Sequence, residues 1–199
     1  MVNIEETIKN LKARGFDAKH FASGKAASNY LAETLTGKAI GFGGSKTLES
    51  LGLYERLSEN NRVFWHWKQD REEAHKSSAA ADVYITSANA IAQTGEIINI
   101  DGTGNRVSST LFGKKELYFV VGINKLAADY DSALWRARNV AAPLNARRFN
   151  KNTPCVNGEL RCYNCSSPDR ICRGLVVLWE KMFGTDKVEV IIVDEDLGY

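Results

Sequence analysis

The run Leu117-Tyr-Phe-Val-Val121 constrains this chain more than any other feature, because it has no polar face. A strand that is apolar on both sides must be covered on both sides, which is the position of an inner strand in a parallel sheet. Val188 to Val193 is a second strand-sized run near the chain's end. Between and before these runs, strand patterns alternate with helical ones. Ile4, Ile8 and Leu11 have helical spacing, and Gly15 is a natural stop. Strands are expected at 16–21, 38–42, 63–67 and 82–86. Helices are expected after Ser23, after Ser45, over 70–81, over 129–140 and over 175–183. Segments 90–93 and 96–100 are expected to pair as a hairpin through Thr94-Gly95. The alternation predicts one α/β domain over residues 1–199, with a mostly parallel sheet flanked by helices.

Composition fits that class. The chain is 44% hydrophobic and 25% charged, outside the range of disordered chains. Its first ten residues carry charges where a signal peptide needs an apolar core. No apolar run approaches the roughly 18–20 residues that cross a bilayer. A cytoplasmic protein without a membrane partner is therefore expected.

All four cysteines lie between Cys155 and Cys172, and all three prolines lie between Pro143 and Pro168. They mark a cysteine-rich loop inserted at about 150–173, near the end of the domain. The spacing is Cys155-x6-Cys162-x2-Cys165-x6-Cys172. The two-residue gap allows two thiolates to chelate one metal, and four thiolates suit tetrahedral zinc or an iron–sulfur cluster. Four reduced thiols are the alternative. Arg147, Arg148, Lys151, Arg161, Arg170 and Arg173 surround this segment. They can offset thiolate charge without any nucleic acid, so no nucleic-acid partner is expected.

Gly41-Phe-Gly-Gly-Ser-Lys-Thr47 reads as a glycine turn from a strand into a helix, a place where backbone N–H groups bind anions. It matches neither the Walker loop nor the dinucleotide fingerprint, and a ligand-free tight connection explains it equally well. From Thr86 to Arg106, polar residues collect at strand ends: Asn89, Thr94, Glu96, Asp101, Asn105 and Arg106. Ligands of open α/β sheets bind at such ends. Arg106 suits a carboxylate or phosphate, and Glu96 or Asp101 suits a base or nucleophile. The bland alternative is a capped turn with Arg106 paired to Asp101. Lys125 follows the strand at 117–121 and faces either the same mouth or solvent. His20, His66 and His75 read as ordinary histidines, with one ring of Trp65-His-Trp67 buried. Trp135 and Trp179 read as core residues on helices.

Taken together, Thr86-x-Ala-Asn-Ala, Thr94-Gly-Glu, Asp101-Gly-x-Gly-Asn-Arg106, Val121-Gly-Ile-Asn-Lys125, Ala142-Pro-Leu-Asn145 and Gly43-Gly-Ser-x-Thr47 resemble the lactate-utilisation (LUD) domain family. The cysteine segment resembles a subgroup of LUD-like proteins. The resemblance implies a fold similar to ribose-phosphate isomerase, glucosamine-phosphate deaminase and CoA transferases. It also implies a role in or beside L-lactate oxidation, with iron–sulfur oxidoreductase subunits as partners. It places Gly43, Gly44, Ser45, Thr47, Asn89, Glu96, Asp101, Asn105, Arg106 and Lys125 around a pocket for a small anionic metabolite. This chain lacks double ferredoxin-type cysteine arrays, which argues against electron transfer through its own clusters. Two other readings stand beside this one: a self-sufficient isomerase or acyl/CoA-transferase-like enzyme using Glu96 or Asp101, and a metal-binding or redox-sensing module. A homo-oligomer is compatible with each.

Overall fold

The large sheet is built around the two apolar runs. A computed structural model describes residues 2–199. In it β7 (Glu116–Gly122) and β10 (Lys187–Val193) pair in parallel along their whole length. Alternate residues of these strands serve opposite cores. Leu117, Phe119, Val121, Val188, Val190 and Ile192 pack on one face, while Tyr118, Val120, Ile191 and Val193 pack on the other. Side chains alternate across a strand, so a strand buried on both sides is apolar almost throughout, and the buried Glu189 of β10 is held by Tyr30 and Lys187.

Four shorter strands complete this sheet: β1 (Asp17–Phe21), β2 (Ala39–Phe42), β3 (Arg62–Phe64) and β4 (Val83–Thr86). All six are parallel, in the order β1-β10-β7-β4-β2-β3. Parallel neighbours require crossovers. Helices α2 (Gly24–Thr34), α3 (Lys46–Ser50) and α4 (Leu53–Ser58) cover one face through Leu31, Leu48, Leu53 and Leu57. Helix α1 (Ile4–Ala13) inserts Leu11 on the other face. Ser23, Ser45 and Asp70 cap the N-termini of α2, α3 and α5 (Arg71–Ala80) with side-chain oxygens.

A second sheet, of four strands, was only half visible in the sequence. The expected hairpin forms from β5 (Ala90–Ala92) and β6 (Ile97–Asp101), an antiparallel pair. β8 (Leu126–Ala127) joins β5 in parallel, and β9 (Gly174–Leu178) joins β6 antiparallel. The helix expected over 175–183 is therefore corrected to a strand. Leu175-Val-Val-Leu178 is too short and too β-branched for periodicity to decide. Pairing with β6 decides it: Leu178 turns towards Ile97 in one core, and Val177 packs against another. Trp179 consequently lies outside the core at 66% exposure, and Trp135 is 61% exposed on its helix. Both were expected to be buried.

Ile91, Ile97 and Leu178 pack this small sheet onto the large one, and α7 (Tyr130–Arg136) covers its outer face with Ala133. The chain continues through a π-helical turn, Ala137–Ala141, into α8 (Ala142–Arg148), beyond the expected end at 140. Pro143 has no N–H to bond back to Asn139, and the widened turn accommodates the missing bond. Short helices α6 (Asn105–Leu111) and α9 (Pro154–Asn157) complete the element order. Among the described residues no helix is long and apolar enough to cross a membrane.

Candidate functional site

The parallel strands deliver their ends to one cleft of about 650 Å³. Gly44, Ser45 and Lys46 follow β2, His66 and Trp67 follow β3, Ser87 and Asn89 follow β4, and Lys125 follows β7. Asp101, Asn105 and Arg106 enter from the end of β6 and the start of α6. Asn145 and Arg148 enter from α8, and Pro168 to Arg173 of the cysteine loop form the remaining wall. The cleft is thus bounded by both sheets and by the inserted loop.

Charge distinguishes this cleft from the rest of the molecule. Its lining includes eight lysines and arginines but only two aspartates, although the whole chain carries 26 cations and 24 acids. Arg148 has no carboxylate holding it. Its guanidinium donates to Asn145 Oδ1 at 2.9 and 3.1 Å and lies 5.0 Å from the Trp67 ring and 3.9 Å from the Phe149 ring. Stacking of this kind fixes a planar cation while leaving donor positions for a ligand.

Lys125 sits in a 3₁₀ turn, Ile123–Lys125, and is 4% exposed. Its Nζ lies 2.8 Å from Thr47 Oγ1 and 3.0 Å from Ser87 Oγ. Thr47 in turn donates to the Leu197 carbonyl at 3.2 Å. The tail carrying Leu197 crosses the end of β7 close to Gly122, where a Cβ would stand 2.3 Å from the Glu195 carbonyl oxygen. Burial, then the positive charges of Arg136 and Arg106, bring the Lys125 pKa down to about 7.

Asp101 has a different task. Its carboxylate accepts from the N–H groups of Gly102 (2.7 Å), Thr103 (3.2 Å), Arg106 (3.1 Å) and Val107 (3.3 Å), and Arg106 Nε lies 3.4 Å away. Burial pushes its pKa up, but Arg106 and the backbone donors outweigh burial and leave it below the ordinary carboxylate range. This is the capped turn read from the sequence as the bland alternative. A carboxylate so fully engaged is a poor base, and its geometry serves to place Arg106 and the start of α6.

Glu96 is not brought to the cleft. It pairs at 2.6 Å with Arg14, the residue that caps the end of α1, and accepts from Thr94 Oγ1, locking the hairpin turn against the first helix. The expected role of base or nucleophile is corrected by this placement. Gly43 packs closely against Thr86, where a Cβ would lie 2.6 Å from its hydroxyl, and Ser45 caps Leu48 N at 3.3 Å while also lining the cleft. Asn89 Oδ1 accepts from Ile100 N at 2.6 Å and its carbonyl accepts from Arg136, so it ties the β4–β5 connection to β6 and α7 beside the cleft.

The four thiols are all half-buried and unpaired by disulfide. Cys155 Sγ lies beside Thr153 Oγ1, Cys162 Sγ lies 3.6 Å from Arg138, and Cys172 lines the cleft. Among the described residues no three His, Cys, Asp or Glu side chains are gathered as a metal-ligand group. The arrangement thus does not fit the zinc or cluster expected from the spacing. Instead Arg170 crosses the loop and donates to the carbonyls of Cys165 (2.7 Å) and Cys172 (2.8 Å).

The sequence reading missed His66 and His75, which stack with ring centroids 4.4 Å apart at the cleft. Burial, followed by the charges of His75, Arg71 and Arg106, lowers the His66 pKa to about 4, so the imidazole is neutral near pH 7. The strand expected over 63–67 stops at Phe64, and that early stop is what turns His66 and Trp67 into the cleft.

These features define an α/β protein with an electropositive cleft at the carboxyl ends of its parallel strands. The LUD domain pattern matches residues 4–193, and the chain belongs to that family. A DUF162 family protein from Deinococcus radiodurans, known from its crystal structure, has a similar fold. The TM-score is 0.59 over 96% of this chain and 95% of that one, at 14% identity. The likeness is one of fold alone. No curated protein matches the chain.

Proposed function

We propose that the cleft binds a small anionic metabolite, a carboxylate or phosphate ester, in or beside the use of hydroxy acids such as L-lactate. One observation carries the reading: cations outnumber acids four to one in the cleft lining, and Arg148 is held there by an amide oxygen and two rings rather than by a carboxylate. A guanidinium fixed without a counter-ion is suited to receive one. Membership of the LUD domain family supports the metabolic setting.

Calorimetry with oxalate, L-lactate, pyruvate and inorganic phosphate tests it. At least one should bind, and Arg148→Gln should weaken that binding by about tenfold, the usual scale for one charge-assisted contact. Absence of binding by all four, or an unchanged affinity in the variant, would overturn the assignment. The acyl-transfer alternative required a free carboxylate at Glu96 or Asp101. Neither is free, so it receives no support from the geometry.

A further inference from the structure

Among the described residues two lysines are buried, and they are buried differently. Lys114 is 3% exposed, and its Nζ donates to the carbonyls of Ser78 (2.7 Å), Ala79 (2.6 Å) and Ala81 (2.8 Å). All three ammonium protons are used on the carbonyls at the end of α5, which is a structural task. Lys125 has only two protein partners, both hydroxyls, and the charges acting on it are both positive. In its neutral form two N–H groups serve Thr47 and Ser87, and the nitrogen lone pair is left for a ligand atom in the cleft. A buried lysine beside other cations is the setting in which the amine becomes a nucleophile.

We propose that Lys125 forms an imine with the carbonyl carbon of a small anionic aldehyde or ketone held in the cleft. The inference rests on the anion-binding reading and gives its ligand a second functional group. The amine nitrogen adds to the carbonyl carbon, giving a carbinolamine. The carbonyl oxygen takes up protons and leaves as water while the C=N bond forms. No oxidant or reductant is required. The Ser87 hydroxyl lines the cleft and touches Nζ, so it is placed to pass a proton between nitrogen and departing oxygen. Arg148 lines the same cleft from α8 and is available to hold the carboxylate or phosphate of the same molecule. An imine so formed withdraws electrons from the adjacent carbon, the step common to aldol-type and isomerisation chemistry.

The test uses the intact protein with glyoxylate, a very small anionic aldehyde, and cyanoborohydride at neutral pH. Mass spectrometry then follows the modification of each lysine with time. Lys125 should be carboxymethylated faster than the exposed Lys12 and Lys76, which lie outside the cleft, by roughly a hundredfold, because an ordinary lysine is almost wholly protonated there. A rate at Lys125 no faster than at these two would overturn the proposal. Oxalate, which offers no electrophilic carbonyl, separates the two readings. Oxalate binding without selective trapping sinks the imine and leaves the anion cleft standing. Selective trapping without binding of any test anion keeps the imine and sinks the anion assignment.

Discussion

At the scale of single residues, the site is a matter of which charges have partners. Arg106 has Asp101, Glu96 has Arg14, and Glu189 has Tyr30 and Lys187. Lys125 and Arg148 are left in the cleft with neutral hydrogen-bond partners and no carboxylate paired to either. Such pairings are hard to read from sequence. Glu96 sits in a motif that looked functional, but its partner lies 82 residues earlier, at the end of α1. Asp101 and Arg106 are five residues apart, and their turn was legible for that reason. Lys125 gives the first prediction. The groups that charge its surroundings are Arg136 and Arg106, and its pKa falls from 10.5 to about 7 on folding. The unfolded chain therefore binds more protons between those two values, so stability should rise with pH across that window and not below it. His66 acts in the same direction only below its unfolded value of 6.5, so it does not obscure the effect. Urea midpoints at about pH 7 and about pH 9.5 should differ in the wild type and differ much less in Lys125→Met. Equal pH slopes for both proteins would show that Lys125 titrates normally.

At the scale of elements, the cysteine loop matters because it is a wall of the cleft. Side chains of Arg138 and Asn139 meet the loop at Cys162, and on the cleft side its attachment to the body is a backbone contact. The N–H of Arg173 donates to the Asp101 carbonyl at 2.9 Å, and Gly102 passes so near that a Cβ would stand 2.5 Å from the Ile171 carbonyl oxygen. Gly102→Ala should therefore push the loop away rather than merely tighten it, at a cost of about 1–3 kcal/mol as overpacking usually has. Limited proteolysis within residues 150–173 should accelerate, and affinity for whichever anion binds should fall. Gly184→Ala, where nothing stands within 4 Å of the added methyl, is the matched control and should change neither. Unaltered proteolysis in Gly102→Ala would show that the loop is not held at this point. Elements legible in the sequence were those with local signals, such as the Ser23, Ser45 and Asp70 caps and the Thr94-Gly95 hairpin. The strand β9 was misread because its identity depends on β6, and the loop's place over the cleft depends on contacts with residues some seventy positions earlier.

At the scale of the whole molecule, charge is sorted between the cleft and the remainder. The formal net charge is only +2, yet the cleft lining holds eight cations against two acids, so the rest of the chain is net acidic. A positive recess within an otherwise acidic body focuses its field at the mouth and draws small anions there rather than to the general surface. The parallel order of the large sheet makes this possible, because only parallel strands bring all their carboxyl ends to one side. Attraction of this origin is screened by salt over about 8–10 Å under physiological conditions and over about 3 Å at 1 M. For the anion bound most tightly, raising sodium chloride from about 50 mM to about 500 mM should weaken affinity several-fold, chiefly through slower association. Arg148→Gln removes one of the charges that screening acts on, so its affinity should depend less steeply on salt than the wild type does. Calorimetry across a salt series, with stopped-flow association at its two ends, measures both slopes. Binding indifferent to salt in both proteins would mean that hydrogen bonding, and not the field of the cleft, selects the ligand.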